Sequence, residues 1–212
     1  MSKNTTLRIL VGAIMALVAG GAAVMEHFGF PAVRVLGIIV VLMMIVEMIL
    51  CMNKTNQNGV VNWLFLGWLF VMLAAINVIG ARPQIVLQLL IIISAADIGA
   101  WFFGRMFGGD KMWERISANK TWAGQIAGIV CGATAYIAYW VLYGAPLVGA
   151  FGMIWTGISV ALLSQYGDLT ASWIKRKMGI KDFGNILPGH GGMLDRFDGW
   201  IYVLPLVWLT ML

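Results

Sequence analysis

Charge is scarce in this chain. Only 11% of its 212 residues are Asp, Glu, Lys or Arg, against 61% hydrophobic. A soluble fold of this length needs a polar surface that such a composition cannot supply, and the mean hydropathy of +0.88 points to an integral membrane protein. A soluble nucleic-acid binder is excluded on the same ground, although the net charge is +5. Cysteine is nearly absent. Cys51 and Cys131 lie in or at the ends of apolar segments, share no metal-ligand spacing, and read as small packing residues. Histidine is as rare: His190 has no second histidine nearby for zinc, and no Ser-His-Asp arrangement is supported. The order G-x-x-x-x-G-K-[ST] is missing, which excludes a P-loop. Repeats, linkers and a second domain are not evident, so residues 1–212 read as one polytopic membrane domain.

What the chain does have is long apolar runs. Runs of about 20 residues can cross a bilayer as helices. Six stand out: Leu7–Met25, Val33–Leu50, Val60–Gly80, Ile85–Phe103, Trp122–Tyr143 and Pro146–Tyr166. The first, behind MSKNTT, reads as a retained signal anchor because its core is long and further spans follow. A seventh, Trp200–Leu212, would rise only about 20 Å, so it must begin earlier, near Asp195, or fail to span. An earlier start would put Asp195 and Asp198 in its first turn, on one face. The expected fold is an all-α integral membrane protein with about seven transmembrane helices and two charged cytoplasmic loops, Gly104–Lys120 and Gly167–Gly199.

Basic residues set the orientation. With the N-terminus in the cytoplasm, Lys3, Arg8, Lys54, Arg105, Lys111, Arg115, Lys120, Lys175, Arg176, Lys177, Lys181 and Arg196 lie inside, and only Arg34 and Arg82 outside. Within the second loop, Ser172–Lys177 has the charges of a short interfacial helix, or of an ordinary positive-inside anchor, the blander reading being favoured for those lysines.

Several polar residues stand where chemistry is plausible. Asp97 lies inside an apolar run, where a carboxylate is costly. It reads equally well as functional or as a partner of Arg105, about two helical turns on. Glu47, also intramembrane, reads as a snorkelling or capping residue. In the first loop Gly108–Gly109, Lys111, Ser117, Lys120 and Thr121 have the chemistry to meet phosphates, though alone they describe a solvated turn equally well. Asp168 alone would be a helix cap. With Asp195 and Asp198 it makes three carboxylates at membrane boundaries, a donor set for a hard cation such as Mg²⁺ that also binds substrate phosphates. The run Pro188–Gly192, PGHGG, suggests a tight turn with exposed amides around His190, which can donate to phosphate, move a proton, or hold the turn.

These residues form an ordered set: Ser172, Lys175–Arg176, Lys181–Asp182, Gly184, Pro188–Gly192, Asp195–Arg196 and Asp198. Earlier pieces are Asp97–Ala100, Gly104–Arg105, Phe107–Gly108, Ser117, Lys120–Thr121, Gly124 and Gln165–Leu169. Together they resemble the phosphatidate cytidylyltransferase (CDP-diacylglycerol synthase) family, most fully over residues 97–198. Two positions depart from its pattern: Ala118 stands where proline is usual, and Ala123 where an acidic residue is frequent. The resemblance implies a membrane enzyme that joins CTP to phosphatidate, forming CDP-diacylglycerol and pyrophosphate. It implies Lys175, Arg176, Lys181, His190 and Arg196 as catalytic phosphate contacts. Asp168, Asp195 and Asp198 would be Mg²⁺ ligands, with room for a second, monovalent cation such as K⁺. Asp97, Arg105, Lys111, Ser117, Lys120, Thr121, Gly189, Gly191 and Gly192 would bind substrate. Partners are then CTP, phosphatidate and membrane lipids, with no nucleic acid and with scope for a homodimer. The place is the inner (plasma) membrane, with the active site facing the cytoplasm.

Two other classes remain open. One is a related CTP-dependent lipid enzyme, either another lipid cytidylyltransferase or a polyprenol kinase. Which phosphate of CTP enters the product separates a kinase from a cytidylyltransferase. The other is a transporter, which Asp97 and Glu47 permit but which does not need the dense loop motif.

Overall fold

The computed structural model describes residues 11, 13–14, 17–22, 24–26, 28–57, 59–143, 149–188 and 191–212. They are mostly helical and divide into two compact units. One unit comprises the chain up to Pro83 together with Ile174–Leu212, and the other Gln84–Trp173.

In the first unit α1 (Ala32–Thr55) and α2 (Val60–Ile79) form an antiparallel pair, and α2 also packs on α6 (Trp200–Leu209). The helix α1 stops at Asn56, whose left-handed backbone (φ 52°) turns its N–H back to the carbonyls of Asn53 and Met52. Met44, Met48, Leu69, Met72, Ile79, Ile201 and Leu204 are almost wholly buried and form the core of this unit. Trp68 on α2 donates its indole N–H to the Ile201 carbonyl at 2.8 Å, which ties α2 to α6. The last turn of α5 also belongs here, followed by the loop that leads to α6.

In the second unit α3 (Pro83–Phe107) leads into a β-hairpin of β1 (Lys111–Trp113) and β2 (Ser117–Thr121), then α4 (Trp122–Leu142) and α5 (Ala150–Lys177). Proline at the first position of α3 suits a helix start, because its missing N–H would have no helical partner there. Small residues bring these helices close. A Cβ added to Gly99 would sit 2.6 Å from the Cys131 sulfur, one on Gly132 2.9 Å from Ala161 Cβ, and one on Gly157 2.7 Å from Ala133 Cα. Close backbone approach through small residues is a common mode of helix packing in membranes. Cys131 is thus a packing residue, as expected.

Among the described residues four helices are long and apolar enough to cross a membrane: α1, α2, α3 and α4. Large apolar side chains project outward from them, including Leu64, Phe70, Ile98, Trp101 and Ile126, as lipid-facing surfaces require. The expected spans Val33–Leu50, Val60–Gly80, Ile85–Phe103 and Trp122–Tyr143 coincide with these four. The expected run Leu7–Met25 lies partly outside the described residues. So does the start of Pro146–Tyr166, which is described as helix from Ala150.

One expectation is corrected, and two open readings are narrowed. The first charged loop is not simply irregular: Gly108 and Gly109, both at positive φ, turn the chain out of α3 into the two-stranded hairpin. Ser172–Lys177 is not a separate interfacial helix but the end of the 28-residue α5, because nothing breaks the helix after Asp168. The final helix starts at Trp200 and is ten residues long, about 15 Å. Asp195 and Asp198 therefore lie in the turns before it. Arg196 and Phe197 donate their N–H groups to the Met193 carbonyl there, and Trp200 donates to Phe197.

Candidate active site

Most of the basic and acidic residues singled out in the sequence fall into two clusters, one in each unit. The cluster of the first unit is built on the loop between α5 and α6. Lys175, in the last turn of α5, sends its ammonium to Asp195 Oδ1 at 2.8 Å. The other oxygen of that carboxylate accepts the backbone N–H groups of Phe183 at 2.9 Å and Gly192 at 3.0 Å. The Lys175 ammonium also lies 5.5 Å from the centre of the Phe183 ring, a cation–π distance. Phe183 in turn stacks on Phe65 of α2, with ring centres 6.4 Å apart. The side chains of Lys175 and Asp195 are only 11% and 5% exposed. Asp195, expected at a membrane boundary, is thus withdrawn from water: three donors and the folded loop cover it.

Glycines let the loop close. Leu187 donates its N–H to the Gly191 carbonyl at 2.9 Å, closing a tight turn, and Gly191 adopts φ 86°, where residues with a Cβ are strained. The turn expected at PGHGG is present to this extent. Gly189 and His190 lie outside the described residues. Asp198 accepts the Gly199 N–H at 2.9 Å. Arg176 reaches the Ile180 carbonyl with its guanidinium at 3.4 Å, folding the chain back after α5.

Beside this loop is a cavity of about 390 Å³. Lys181, Asp182 and Asn185 line it from the loop, and Lys54, Thr55 and Cys51 from the end of α1. Two lysines against the single carboxylate of Asp182 leave the lining net cationic, which favours an anionic guest. Lys54 entered the sequence reading only as a topology marker. Its place in the cavity depends on a fold-back from residue 181 that no local pattern reveals. Cys51 is buried and donates its thiol to the Phe183 carbonyl at 2.8 Å.

The cluster of the second unit joins the hairpin to α5. The Lys120 ammonium, at the end of β2, meets Asp168 Oδ2 at 2.5 Å, and Asp168 Oδ1 accepts from Ser172 at 3.3 Å. Asp168 is therefore a mid-helix residue, not a cap. Asp97, exposed on α3, lies within electrostatic reach of both Asp168 and Lys120. The Asp97–Arg105 pair, one of the two readings of Asp97, does not form. Arg105 lies over the Trp101 ring, 5.8 Å from its centre, so its apolar guanidinium face is covered by the aromatic plane one turn back. Thr121 is buried and caps α4, accepting the Gly124 N–H at 3.2 Å. Lys111 and Ser117 stand on the hairpin, Lys111 exposed and Ser117 half-buried.

Just below Asp168 on α5, Ser164 and Gln165 are buried. The Ser164 hydroxyl and the Gln165 carbonyl oxygen have no hydrogen-bond partner among the described residues. The Gln165 amide donates to the Gln125 carbonyl at 3.3 Å. Sequence hydrophobicity passes over both residues, because they form a single two-residue polar step between Leu163 and Tyr166.

The donor sets suit a hard cation. Asp97 and Asp168 offer carboxylate oxygens, and Lys120 already places positive charge on Asp168. Asp198 is an oxygen donor of the same kind, whereas the oxygens of Asp195 are already engaged by Lys175, Phe183 and Gly192 and would have to exchange one of them for a cation. Within neither unit do three His, Cys, Asp or Glu side chains gather into a metal cage among the described residues. A hard cation such as Mg²⁺ commonly takes one or two carboxylates and fills its shell with water and substrate phosphates.

Apolar helices that carry folded, cationic, glycine-rich loops define this chain as a helical membrane protein built to display charge. It belongs to the cytidylyltransferase family, whose sequence model matches residues 1–212. The resemblance drawn from the motifs between Asp97 and Asp198 is thereby borne out. The chain is 42% identical over 121 residues to a phosphatidate cytidylyltransferase of Brucella melitensis biotype 1, a match covering 57% of this chain and 44% of that protein. It is 40% identical over 132 residues to a phosphatidate cytidylyltransferase of Staphylococcus aureus (strain COL), covering 58% and 46%. The chain thus spans about half the length of the curated relatives it matches.

Proposed function

We propose that this chain transfers the cytidylyl group of CTP to phosphatidate, giving CDP-diacylglycerol and pyrophosphate. An oxygen of the phosphatidate phosphate attacks the α-phosphorus of CTP. The bond from that phosphorus to the oxygen bridging to the β-phosphate breaks, and pyrophosphate leaves with the electron pair. The lipid phosphate is itself the nucleophile, so the protein need not form a covalent intermediate. Its task is to align two anions and neutralise their charge.

The observation that carries this reading is the cationic loop after α5, closed around the buried Lys175–Asp195 pair in a chain of this family. Lys175 is held rigidly by that pair, and Lys181 faces the adjoining cavity together with Lys54. These lysines, with Arg176, His190 and Arg196, are the candidates to contact phosphate oxygens. Gly189 and Gly191 would offer backbone amides, and Gly192, whose N–H is held by Asp195, would keep the turn open to substrate. In the second unit Asp97, Arg105, Lys111, Ser117, Lys120 and Thr121 are the candidates for binding substrate. Asp168, Asp195 and Asp198 are the candidate Mg²⁺ ligands, and a monovalent ion such as K⁺ is compatible with the same oxygen chemistry. When bound, such a cation supplies positive charge against the phosphates.

In this reading the chain crosses the membrane several times, with the N-terminus and both charged segments in the cytoplasm. CTP would arrive from water and phosphatidate from the bilayer, in the plasma membrane of a cell. A homodimer is compatible with the exposed apolar helices. The test is purified protein supplied with phosphatidate, α-labelled CTP and Mg²⁺, with recovery of label in lipid as the expected result. Label confined to water-soluble species would overturn the proposal.

A further inference from the structure

Glu47 sits in the membrane-spanning helix α1 and is 2% exposed. A carboxylate there is costly unless its oxygens are satisfied. Both are. Oε1 accepts the Met193 N–H at 2.9 Å and Oε2 accepts the Leu194 N–H at 2.8 Å. These two amides come immediately before Asp195.

The fit extends to two glycines whose presence the backbone does not require, since neither adopts positive φ. A Cβ on Gly184 would stand 2.6 Å from Glu47 Oε1. One on Gly192 would stand 2.6 Å from Oε2 and 2.7 Å from Oε1. The loop thus lies directly on the carboxylate, with glycine at both places where a side chain would strike it. Asp195 holds Phe183 and Gly192 from one side of the loop, and Glu47 holds Met193 and Leu194 from within the helix pair.

We infer that Glu47 is a positioning residue. By fixing the amides of Met193 and Leu194 it sets the shape of Gly184–Asp195, and with it the orientation of the Lys175–Asp195 pair. It would act through the loop without touching substrate. This rests on the loop serving cytidylyl transfer, as proposed above.

The test combines hydrogen exchange with kinetics on the purified full chain. Glu47→Gln keeps the shape but replaces one acceptor by an NH₂ donor that faces an amide N–H. Amides in 191–197 should then exchange at least about 10-fold faster, while those of α2 stay protected. On folded protein, kcat should fall about 10-fold with KM for CTP changed less than about 3-fold, the signature of a lost alignment. A coupled arm uses Gly192→Ala. It should lower kcat about 10-fold with Glu47 present and less than about 2-fold in a Glu47→Ala background, because the obstruction is gone.

Unchanged exchange in Glu47→Gln overturns the inference. So does faster exchange with unaltered kcat, or an equal cost of Gly192→Ala in both backgrounds. Should the Glu47 variants fail to fold, exchange at 191–197 in Gly184→Ala and Gly192→Ala decides: raised exchange supports the contact, and wild-type protection contradicts it. If the wild-type chain transfers no cytidylyl group, the proposed function fails by itself, and the exchange arm still decides whether Glu47 holds the loop.

Discussion

Lys175 Nζ lies 2.8 Å from Asp195 Oδ1, in a pair almost withdrawn from solvent, and the same carboxylate gathers the amides of Phe183 and Gly192. One ion pair therefore does two things. It holds a lysine at the end of α5, and it closes the loop that carries most of the family pattern. Removing one partner of a buried pair leaves an uncompensated charge, which costs more than the pair contributes.

Asp195→Asn should accordingly affect both stability and turnover. Loss of the counter-charge is expected to cost about 3 kcal/mol, seen as a thermal midpoint at least about 5 °C lower in detergent. Turnover of the fraction that remains folded should fall at least about 100-fold. The double change Lys175→Met with Asp195→Leu should recover part of the stability and none of the turnover. A variant with wild-type midpoint and turnover would show that the pair has neither role.

Asp168→Asn should behave differently. Its side chain is 36% exposed and that of Lys120 24%, so their pair contributes little to stability. The thermal midpoint should move by less than about 2 °C, as for an ordinary surface pair. Turnover should fall about 100-fold if Asp168 holds a cation or orients substrate. Adding Lys120→Gln to Asp168→Asn should then cost much less than Lys120→Gln alone. Near-normal turnover in folded Asp168→Asn would remove that residue from the site.

The contrast between these carboxylates was not legible in the sequence, whereas the helices largely were. Runs such as Val60–Gly80 are bounded by polar turns, and their apolar length fixes them as helices whatever they pack against. The end of α5 was misread because the charges of Lys175–Lys177 resemble a new segment. Helix propagation depends on backbone bonding, and those residues are good helix formers. The hairpin after α3 was missed because its strands are short and polar. The motif itself gave the residues but not their depth. Asp195 is buried by contacts with Phe183 and Gly192, and the meeting of Glu47 with the Met193 and Leu194 amides spans most of the chain. Gly192 reads as part of a turn and Gly184 only as a member of the pattern, yet both lie where a side chain would strike the Glu47 carboxylate.

Metal dependence provides a third expectation. A cation held by few protein carboxylates and completed by substrate phosphates is bound reversibly. Chelation of divalent ions should abolish transfer, and Mg²⁺ should restore it, measured on the same purified preparation. Full activity after rigorous removal of divalent ions would contradict the assignment of Asp168, Asp195 and Asp198.

Orientation follows from the basic residues. Twelve of the fourteen lysines and arginines fall on the side proposed to be cytoplasmic. In a variant lacking Cys51 and Cys131, single cysteines replacing Lys111 or Lys181 should react with impermeant reagent only after the membrane is opened. Labelling of either position in sealed cells would reverse the arrangement.

The most direct measurement follows the two ends of CTP separately. Purified chain in phosphatidate-containing vesicles with Mg²⁺ would receive CTP labelled at the α- or at the γ-phosphate. Cytidylyl transfer predicts α-label in the lipid and γ-label in pyrophosphate, in equal amounts. Label from the γ-position in the lipid would make the chain a kinase, and lipid free of both labels would contradict the account.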